Sequence, residues 1–341
     1  MRILYGIQGT GHGHISRARV ILPRLKQLAD VDILISGYNY NLSLDDPIRY
    51  TARGISLEYD HKGSVDYFVT AKNIRPIKLL QDIHSLPVTD YDFVVNDYEP
   101  VTAWAAYKSG VPTVAISHQA SFLSQKTPRP KNVSLFSEGV LRHFAPSNTA
   151  VACHYLRYDE FIEPPIVRRH IQNLSPSAQD HVTVYLPAYN YRELLPYFHA
   201  IPQVAWHIFS SDCEQSRWDK NVWLRPVGNE SFLESIESCL GIVSATGFET
   251  TSESMYLGKK LFTIPIRNQY EQLCNAAALE ELGAYVSHTI GEHFISNLKH
   301  WIREGKTMSL AEVCDEELLI QKIIAKGQAY FPNTVYRSKS A

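Results

Sequence analysis

The sequence lacks a strong net charge, a long apolar segment and a regular arrangement of cysteines. Its 341 residues carry a formal net charge of -2, which gives no general attraction for nucleic acid. No stretch approaches the roughly 20 apolar residues that a membrane-spanning helix requires. The five cysteines are scattered and odd in number, a pattern that is typical of buried thiols in a reducing compartment. We therefore expect a cytoplasmic globular protein with no signal peptide, metal site or nucleic-acid partner.

What the sequence does contain is an alternation of strand and helix patterns that occurs twice. Short apolar runs at 3–7, 31–35, 93–95 and 113–116 alternate with helical patterns such as 100–108, and a second series of runs follows at 182–186, 204–209, 241–243 and 261–264. Such alternation predicts α/β domains with parallel sheets. Pro164 and Pro165 favour an extended linker between them. We predict a first domain over 1–160, a linker over 161–180, a second domain over 181–310, and a C-terminal helix and tail over 311–341 that packs back on the first domain.

The stretch from 244 to 276 has the features of a nucleotide-sugar site. Gly247 allows the backbone to approach a ligand closely, and the helix that we expect to open at Thr250 and Thr251 offers its free amides to a diphosphate. Glu253, one turn further on, is a carboxylate suited to ribose hydroxyls. A second loop places Glu271 and Gln272 at another helix start, where both can bind the hydroxyls of a hexose.

These residues resemble a known family. Ser244–Ser254 resembles the donor motif of UDP-glycosyltransferases, and Glu271-Gln272…Asn275-Ala276 resembles their acidic-Gln…Asn-Ala segment. The chain is similar to the lipid-linked peptidoglycan N-acetylglucosaminyltransferase, to plant UDP-sugar transferases and, over most of its length, to uncharacterised bacterial and archaeal members. The resemblance implies a GT-B fold of two Rossmann-like domains that face a cleft. It also implies a UDP-sugar as substrate, with no cofactor and no metal, and a donor site made of Ser244, Thr246, Gly247, Phe248, Glu249, Thr250, Glu253, Glu271 and Gln272.

Two positions depart from the family pattern. Plant enzymes have a histidine where this chain has Ala245, so one phosphate contact is missing. Glu249 brings a negative charge to the start of the donor helix, where it repels a diphosphate unless its side chain points away. Both departures bear on the identity of the nucleotide.

The loop after the first strand holds the candidates for acceptor-side chemistry. Its glycines are spaced Gly9-x-Gly11-x-Gly13, which is not the dinucleotide fingerprint, and no acidic residue follows the second strand, so NAD is disfavoured. The resemblance places His14 at the family's cleft histidine, with His12 as a rival. Histidine suits a general base that takes the proton of an acceptor hydroxyl.

Asp97, at the end of the strand over 93–95, matches the aspartate that partners this histidine in plant transferases. His118, after the strand over 113–116, is a further acceptor-side candidate, as are Gly11, His12 and Gly13 of the loop. The alternatives without a catalytic role are a helix-capping or packing histidine for His14 and a turn residue at the end of a strand for Asp97.

Two weaker patterns remain. Asp90-Tyr91-Asp92 is a literal D-x-D, but it precedes a strand instead of ending one, which favours a turn or capping role over a metal site. The segment 126–131 is basic and proline-rich, and Lys62, Lys72, Arg75 and Lys78 add charge upstream. These residues form either a solvated surface or a lid that touches anionic phospholipid or a lipid-diphosphate acceptor, which would place the protein at the inner face of the membrane.

Three functions compete at this point. The first is an inverting, metal-independent hexosyltransferase that uses a UDP-sugar and an unidentified hydroxyl acceptor, which is lipid-linked, a glycan or a small molecule. The second is a nucleotide-sugar epimerase, whose donor-loop pattern differs from Gly247-Phe248-Glu249-Thr250. The third is a non-catalytic protein that binds a nucleotide sugar.

Overall fold

The computed structural model describes residues 1–10, 13–37, 44–56, 58 and 67–330. The first half forms an α/β domain whose sheet has the strand order β3-β2-β1-β4-β5-β6, with every neighbouring pair parallel. Its elements are β1 (Arg2–Gln8), α1 (Gly13–Leu28), β2 (Asp30–Ser36), β3 (Tyr50–Ala52), α2 (Tyr67–Asn73), α3 (Pro76–Ser85), β4 (Phe93–Asp97), α4 (Pro100–Ser109), β5 (Thr113–Ala115), α5 (Leu135–His143) and β6 (Thr149–Ala150).

A short connection leads to the second domain. It contains β7 (Ala152–Cys153), β8 (Ile162–Glu163) and α6 (Arg169–Gln172), and β7 and β8 pair with each other. The second domain consists of β9 (His181–Tyr185), α7 (Tyr191–His199), β10 (Ala205–Ser210), β11 (Arg217–Asp219), β12 (Val222–Pro226), α8 (Asn229–Ser238), β13 (Gly241–Ser244), α9 (Phe248–Tyr256), β14 (Lys260–Thr263), α10 (Tyr270–Glu281), β15 (Tyr285–Val286) and α11 (Phe294–Glu304), and α12 (Glu316–Gln328) follows it. Its sheet has the order β11-β12-β10-β9-β13-β14-β15.

Both sheets reverse their strand order next to the first strand of the domain. The first sheet runs outward from β1 on one side and from β4 on the other, and the second does the same from β9 and β13. Ligands of doubly wound sheets bind at this point, outside the carboxyl ends of the strands. The loop that leads into α1 and the loop that leads into α9 both begin at such a position.

Helices cover both faces of each sheet, as the sequence predicts. One face of the first sheet packs on Ile15 and Ile21 of α1, and the other face packs on Ile83 of α3 and Ala105 of α4. The C-terminal helix α12 joins the first of these cores through Leu319, Ile320 and Ile323, so this helix packs on the N-terminal domain. Among the described residues, no helix is long and apolar enough to cross a membrane.

The strands and helices for which the sequence analysis gave bounds agree with the structure to within three residues, and one shift matters for the site. Helix α9 begins at Phe248, not at Thr250 as predicted. Gly247 is extended, with φ -65° and ψ 130°, and serves as the N-cap. The first free amides therefore belong to residues 248–250, which moves the anion-binding end of the helix toward Gly247.

Candidate active site

His14 and Asp97 come together at the carboxyl end of the first sheet. Strands β1 and β4 are neighbours in register, with Ile7 opposite Asp97, and His14 lies in the first turn of the helix that follows β1. His14 Nδ1 lies 2.7 Å from Asp97 Oδ1, and the aspartate is fully buried. Because a carboxylate accepts, Nδ1 carries the hydrogen, and in the neutral ring the lone pair lies on Nε2. This is the geometry that a histidine base requires, while the role itself stays a prediction.

A residue that the sequence analysis missed completes this pair. Arg17 donates from Nε and Nη2 to the two oxygens of Asp97, at 2.8 and 2.9 Å, and is itself only 5% exposed. Burial alone raises the pKa of Asp97, but Arg17 and His14 outweigh it and hold this pKa below its ordinary value. Asp97 is therefore a carboxylate at neutral pH. The helical spacing of His14 and Arg17, three residues apart, was the signal that could have identified Arg17.

The same arginine reaches across the cleft to the donor helix. Arg17 Nη1 donates to Glu249 Oε1 at 2.9 Å. The Glu249 carboxyl also lies against Gly13, where a Cβ would stand 2.5 Å from it. The Glu249 side chain therefore points toward the first domain. Its charge would repel a diphosphate unless the side chain pointed away, but here the guanidinium of Arg17 neutralises it. The starts of α1 and α9 thus meet at this carboxylate.

The donor loops are cross-linked by their own polar groups. Thr246 Oγ1 donates to the Gln272 carbonyl at 2.7 Å, Gln272 Oε1 accepts from the Ile266 amide at 2.9 Å, and Asn275 Nδ2 donates to the Thr246 carbonyl at 3.0 Å. Ser244, next to this network, is 1% exposed and donates to the Ala245 carbonyl. These contacts fix the loop after β13 against α10. They bring the two predicted donor loops together and engage the hydroxyl groups of Ser244 and Thr246 within the protein.

The two remaining acidic candidates each have a partner from outside the second domain's sheet. Arg168 of the connection holds Glu253 in a two-pronged ion pair, at 2.6 and 2.7 Å. Burial raises the pKa of Glu253, and Arg168 opposes the rise. Glu271 accepts from Gln119 Nε2 at 2.9 Å. A ribose at Glu253 would have to share or displace Arg168, a residue for which the sequence analysis gave no signal.

His118 is an interior residue at the domain interface. Its ring stacks on Phe248 at 3.9 Å, Nε2 lies 2.7 Å from Asn275 Oδ1 and Nδ1 lies 2.9 Å from the Cys153 carbonyl. Burial lowers the pKa of His118. Both nitrogens are thus engaged within the protein, so the predicted acceptor-side role is not supported by exposure of the ring. Phe248, a predicted donor residue, is likewise 3% exposed. The candidates Gly11 and His12, and Lys62, lie outside the described residues.

The first domain contains a cavity of about 220 Å³, whose lining includes neither His14 nor Asp97. It lies at the carboxyl ends of β4 and β5, and Asn96, Tyr98, Ser117 and Leu141 are among the residues that line it. Asn96 and Tyr98 flank Asp97 in the sequence. Tyr98 has a φ of 56°, an unusual backbone angle for a tyrosine, and its ring packs on Phe144 at 4.8 Å.

The D-x-D segment belongs to no cluster of metal-binding side chains among the described residues. Within the described ranges, no group of three or more His, Cys, Asp or Glu side chains is arranged to hold a metal ion. The D-x-D segment lies at the start of β4, whereas the His14–Asp97 pair lies at its end. At the start of the strand, the Asp92 side chain accepts a hydrogen bond from the Arg2 amide at 2.8 Å. This hydrogen bond connects the segment to the beginning of β1.

The fold and this cleft define the class of protein. Two Rossmann-like domains with facing switch points are the GT-B architecture, and the sequence-based prediction of that fold is confirmed. The family model for glycosyl transferase family 1 matches residues 1–302, and the chain belongs to that family. It is therefore a glycosyltransferase. No curated protein matches the chain.

Solved structures agree with the chain in fold. Spinosyn forosaminyltransferase SpnP is 14% identical, with a TM-score of 0.53, over 96% of this chain and 95% of its own. MurG of Acinetobacter baumannii is 13% identical, with a TM-score of 0.51, over 97% and 96%. A UDP-glucosyltransferase from Polygonum tinctorium is 13% identical, with a TM-score of 0.55, over 96% and 93%. At this identity the likeness establishes the fold alone.

Proposed function

We propose that the protein transfers a hexose-type sugar from a UDP-sugar to a hydroxyl acceptor, with inversion and without a metal ion. The observation that carries the proposal is the position of the His14–Asp97 pair. Gly13, the neighbour of His14, touches Glu249 in the first turn of the donor helix, so the predicted base lies beside the predicted donor site. A neighbour in fold is named as a UDP-glucosyltransferase that glucosylates indoxyl, which supports the choice of nucleotide.

In the proposed reaction His14 acts on the acceptor. Nε2 takes the proton of the acceptor hydroxyl as its oxygen attacks the anomeric carbon, and the bond from that carbon to the diphosphate oxygen breaks. Asp97 holds the Nδ1–H and stabilises the imidazolium that forms. Attack from the face opposite the leaving group gives inversion. The free amides of residues 248–250 and the dipole of α9 stabilise the charge of the departing UDP.

A ligand screen tests the donor assignment. We expect UDP and UDP-sugars to raise the thermal midpoint of the protein, because a ligand that binds only the folded state stabilises it by RT ln(1 + [L]/Kd). TDP and GDP, with their sugars, serve as matched controls. A shift with TDP or GDP but not with UDP would mean that the donor carries that nucleotide instead of UDP. No shift with any of the three would contradict the donor site.

Product analysis separates the three functions. A transferase joins the sugar to an acceptor and releases UDP, whereas an epimerase changes the sugar without any acceptor. A non-catalytic binding protein gives a thermal shift but leaves the UDP-sugar unchanged. Mass spectrometry of UDP-sugar incubated with candidate acceptors detects transfer, and proton NMR of the sugar separates epimerisation from no reaction, because epimers have the same mass.

The acceptor side of the proposal centres on the 220 Å³ cavity, whose lining includes Asn96 and Tyr98, the sequence neighbours of Asp97. Beside the cavity, α5 exposes Leu135 (85%) and Phe136 (74%), and Val133 is half exposed. Four cations, Lys126, Arg129, Lys131 and Arg142, lie in the same stretch, and two of them form ion pairs, Arg129 with Glu138 and Lys126 with Asp159. We propose that this surface, residues 126–142, contacts anionic lipid at the inner face of the membrane, where an acceptor with a lipid anchor would reach the cavity.

Vesicle cosedimentation tests the lipid contact. We expect the protein to sediment with phosphatidylglycerol vesicles at low salt and to be released as salt rises, because the attraction is screened. The variant Phe136→Ser with Leu135→Ser should lose binding, while Tyr107→Ser, at a similarly exposed site on α4, should keep it. Equal binding by both variants would contradict this part of the proposal.

A further inference from the structure

We propose that Arg17 binds the diphosphate of the donor and that Glu249 competes with the diphosphate for it. The proposal rests on the nucleotide-sugar function given above and adds a cationic residue to it from the first domain. Arg17 would then be a catalytic residue, because it touches the group that leaves.

The two sides of the Arg17 guanidinium bind different carboxylates. Nε and Nη2 donate to Asp97, whose side chain is fully buried, so this side is fixed to the first domain. Nη1 faces the other domain and donates to Glu249, whose side chain is 34% exposed. A partly exposed glutamate on a helix surface rotates at little cost, whereas the buried aspartate does not. Only the Nη1 side is therefore available for exchange.

The Glu249 carboxylate occupies a place that suits a phosphate group. It is the second residue of α9, beside the free amides of that helix, and it lies against Gly13 at the start of α1. Two helix N-termini and a guanidinium thus surround one anion. Helix N-termini and arginine both favour phosphate oxygens, which accept hydrogen bonds in the same geometry as a carboxylate.

The charges indicate which anion must leave. Arg17 already balances two carboxylates, Asp97 and Glu249. A diphosphate at the amides of α9 would stand next to Glu249 and be repelled by it. If Glu249 rotates toward solvent, the diphosphate takes over the Nη1 side and the repulsion falls. Arg17 then stabilises the charge that develops on the diphosphate as the bond to the sugar breaks.

Two other interpretations of the same contacts make different predictions. If Arg17 and Glu249 only tie the domains together, removing Glu249 leaves affinity for UDP unchanged or lowers it. If Glu249 is itself a donor ligand, as the family pattern implies, removing its charge weakens UDP binding. The competition described above predicts the opposite sign.

Isothermal titration with UDP and with uridine tests the competition. We expect Glu249→Gln to bind UDP about three- to tenfold more tightly than the wild type, and Arg17→Gln to bind it about ten- to a hundredfold more weakly, the range of a hydrogen bond to a charged group. Uridine, which has no phosphate, should bind all of them equally. In Arg17→Gln the further change Glu249→Gln should bring a smaller gain than in the wild type, because the competition for Arg17 is already gone and only the direct repulsion remains.

Controls keep each outcome interpretable. Arg157 also pairs with two carboxylates, Glu163 and Glu312, away from the cleft, so Arg157→Gln should leave UDP affinity unchanged. Arg17→Lys retains the charge if Arg17→Gln fails to fold, and should bind UDP more weakly than the wild type, because an ammonium group lacks the fork of donors that serves two anions at once. Unchanged or weaker UDP binding by Glu249→Gln, or an equal gain in the Arg17→Gln background, would overturn the proposal. Absence of UDP binding by the wild type would instead refute the proposed function on which it rests.

Discussion

Replacing Asp97 with asparagine should destabilise the protein and almost abolish transfer. The carboxylate accepts from His14 Nδ1 at 2.7 Å and from Arg17 at 2.8 and 2.9 Å, in a fully buried position. Asparagine is nearly isosteric with aspartate, so the substitution changes the charge opposite Arg17 and leaves the shape of the side chain almost unaltered. Breaking a buried ion pair costs about 3–5 kcal/mol. Because Arg17 keeps its ion pair with Glu249 in Asp97→Asn, we expect a loss of about 3 kcal/mol, at the lower end of this range.

The effect should depend on pH in a defined direction. Arg17 and His14 lower the pKa of Asp97 in the folded protein, against the effect of burial, below the value of roughly 3.9 in an unfolded chain. A group with a lowered folded-state pKa stabilises the protein fully above its unfolded pKa and loses this contribution as the pH falls toward the folded one. The difference in free energy of unfolding between wild type and Asp97→Asn should therefore be largest above about pH 4 to 5 and shrink below it.

Urea unfolding followed by circular dichroism at several pH values measures this difference. Asp32→Asn is the matched control, since Asp32 accepts from an arginine and a tyrosine in a partly exposed position, and its partner Arg49 is half exposed, so that this pair contributes about 1 kcal/mol. A destabilisation by Asp97→Asn no larger than that of Asp32→Asn, or one that is the same at low pH as at neutral pH, would refute the reasoning.

Three further predictions concern other parts of the chain. Gly327→Ala should destabilise the protein by about 1–3 kcal/mol, because its Cβ would lie 2.6 Å from the Phe93 ring, whereas Gly139→Ala, with open space around it, should be neutral or stabilising in the same urea titration. Glu253→Gln should lose the preference for UDP over 2′-deoxy-UDP in titration calorimetry, and retention of that preference would argue against a ribose contact. Burial raises the pKa of the Cys153 thiol to about 12 although Arg17 opposes it, so a thiol reagent at neutral pH should label Cys153 only after unfolding; rapid labelling of the native protein would contradict its buried position.

The fold could be predicted from the sequence because its signals are local. Short apolar runs, separated by amphipathic helices, predict parallel sheets whatever the details of packing. Gly110 ends α4 with a φ of 68°, as its position before Pro112 indicates. The start of α9 was predicted two residues late, because Gly247 takes the N-cap position without a side chain that would announce it.

The site could be predicted only in part, because its charges are balanced by residues far apart in the chain. His14 and Asp97 were recognisable from a family pattern, and parallel pairing of β1 with β4 brings them together. Arg17 and Arg168, which neutralise Glu249 and Glu253, lie 232 and 85 residues away from those partners. No periodicity links such positions, so their pairing becomes visible only when both domains are in place.

The most direct test of the central claim, that His14 is the base for transfer from a UDP-sugar, is to compare transfer and UDP binding in His14→Ala. General-base catalysis contributes about 10²- to 10⁴-fold, so kcat should fall by that factor while the Kd for UDP stays within about twofold of the wild type. Unchanged turnover in His14→Ala, with UDP still bound, would contradict this assignment.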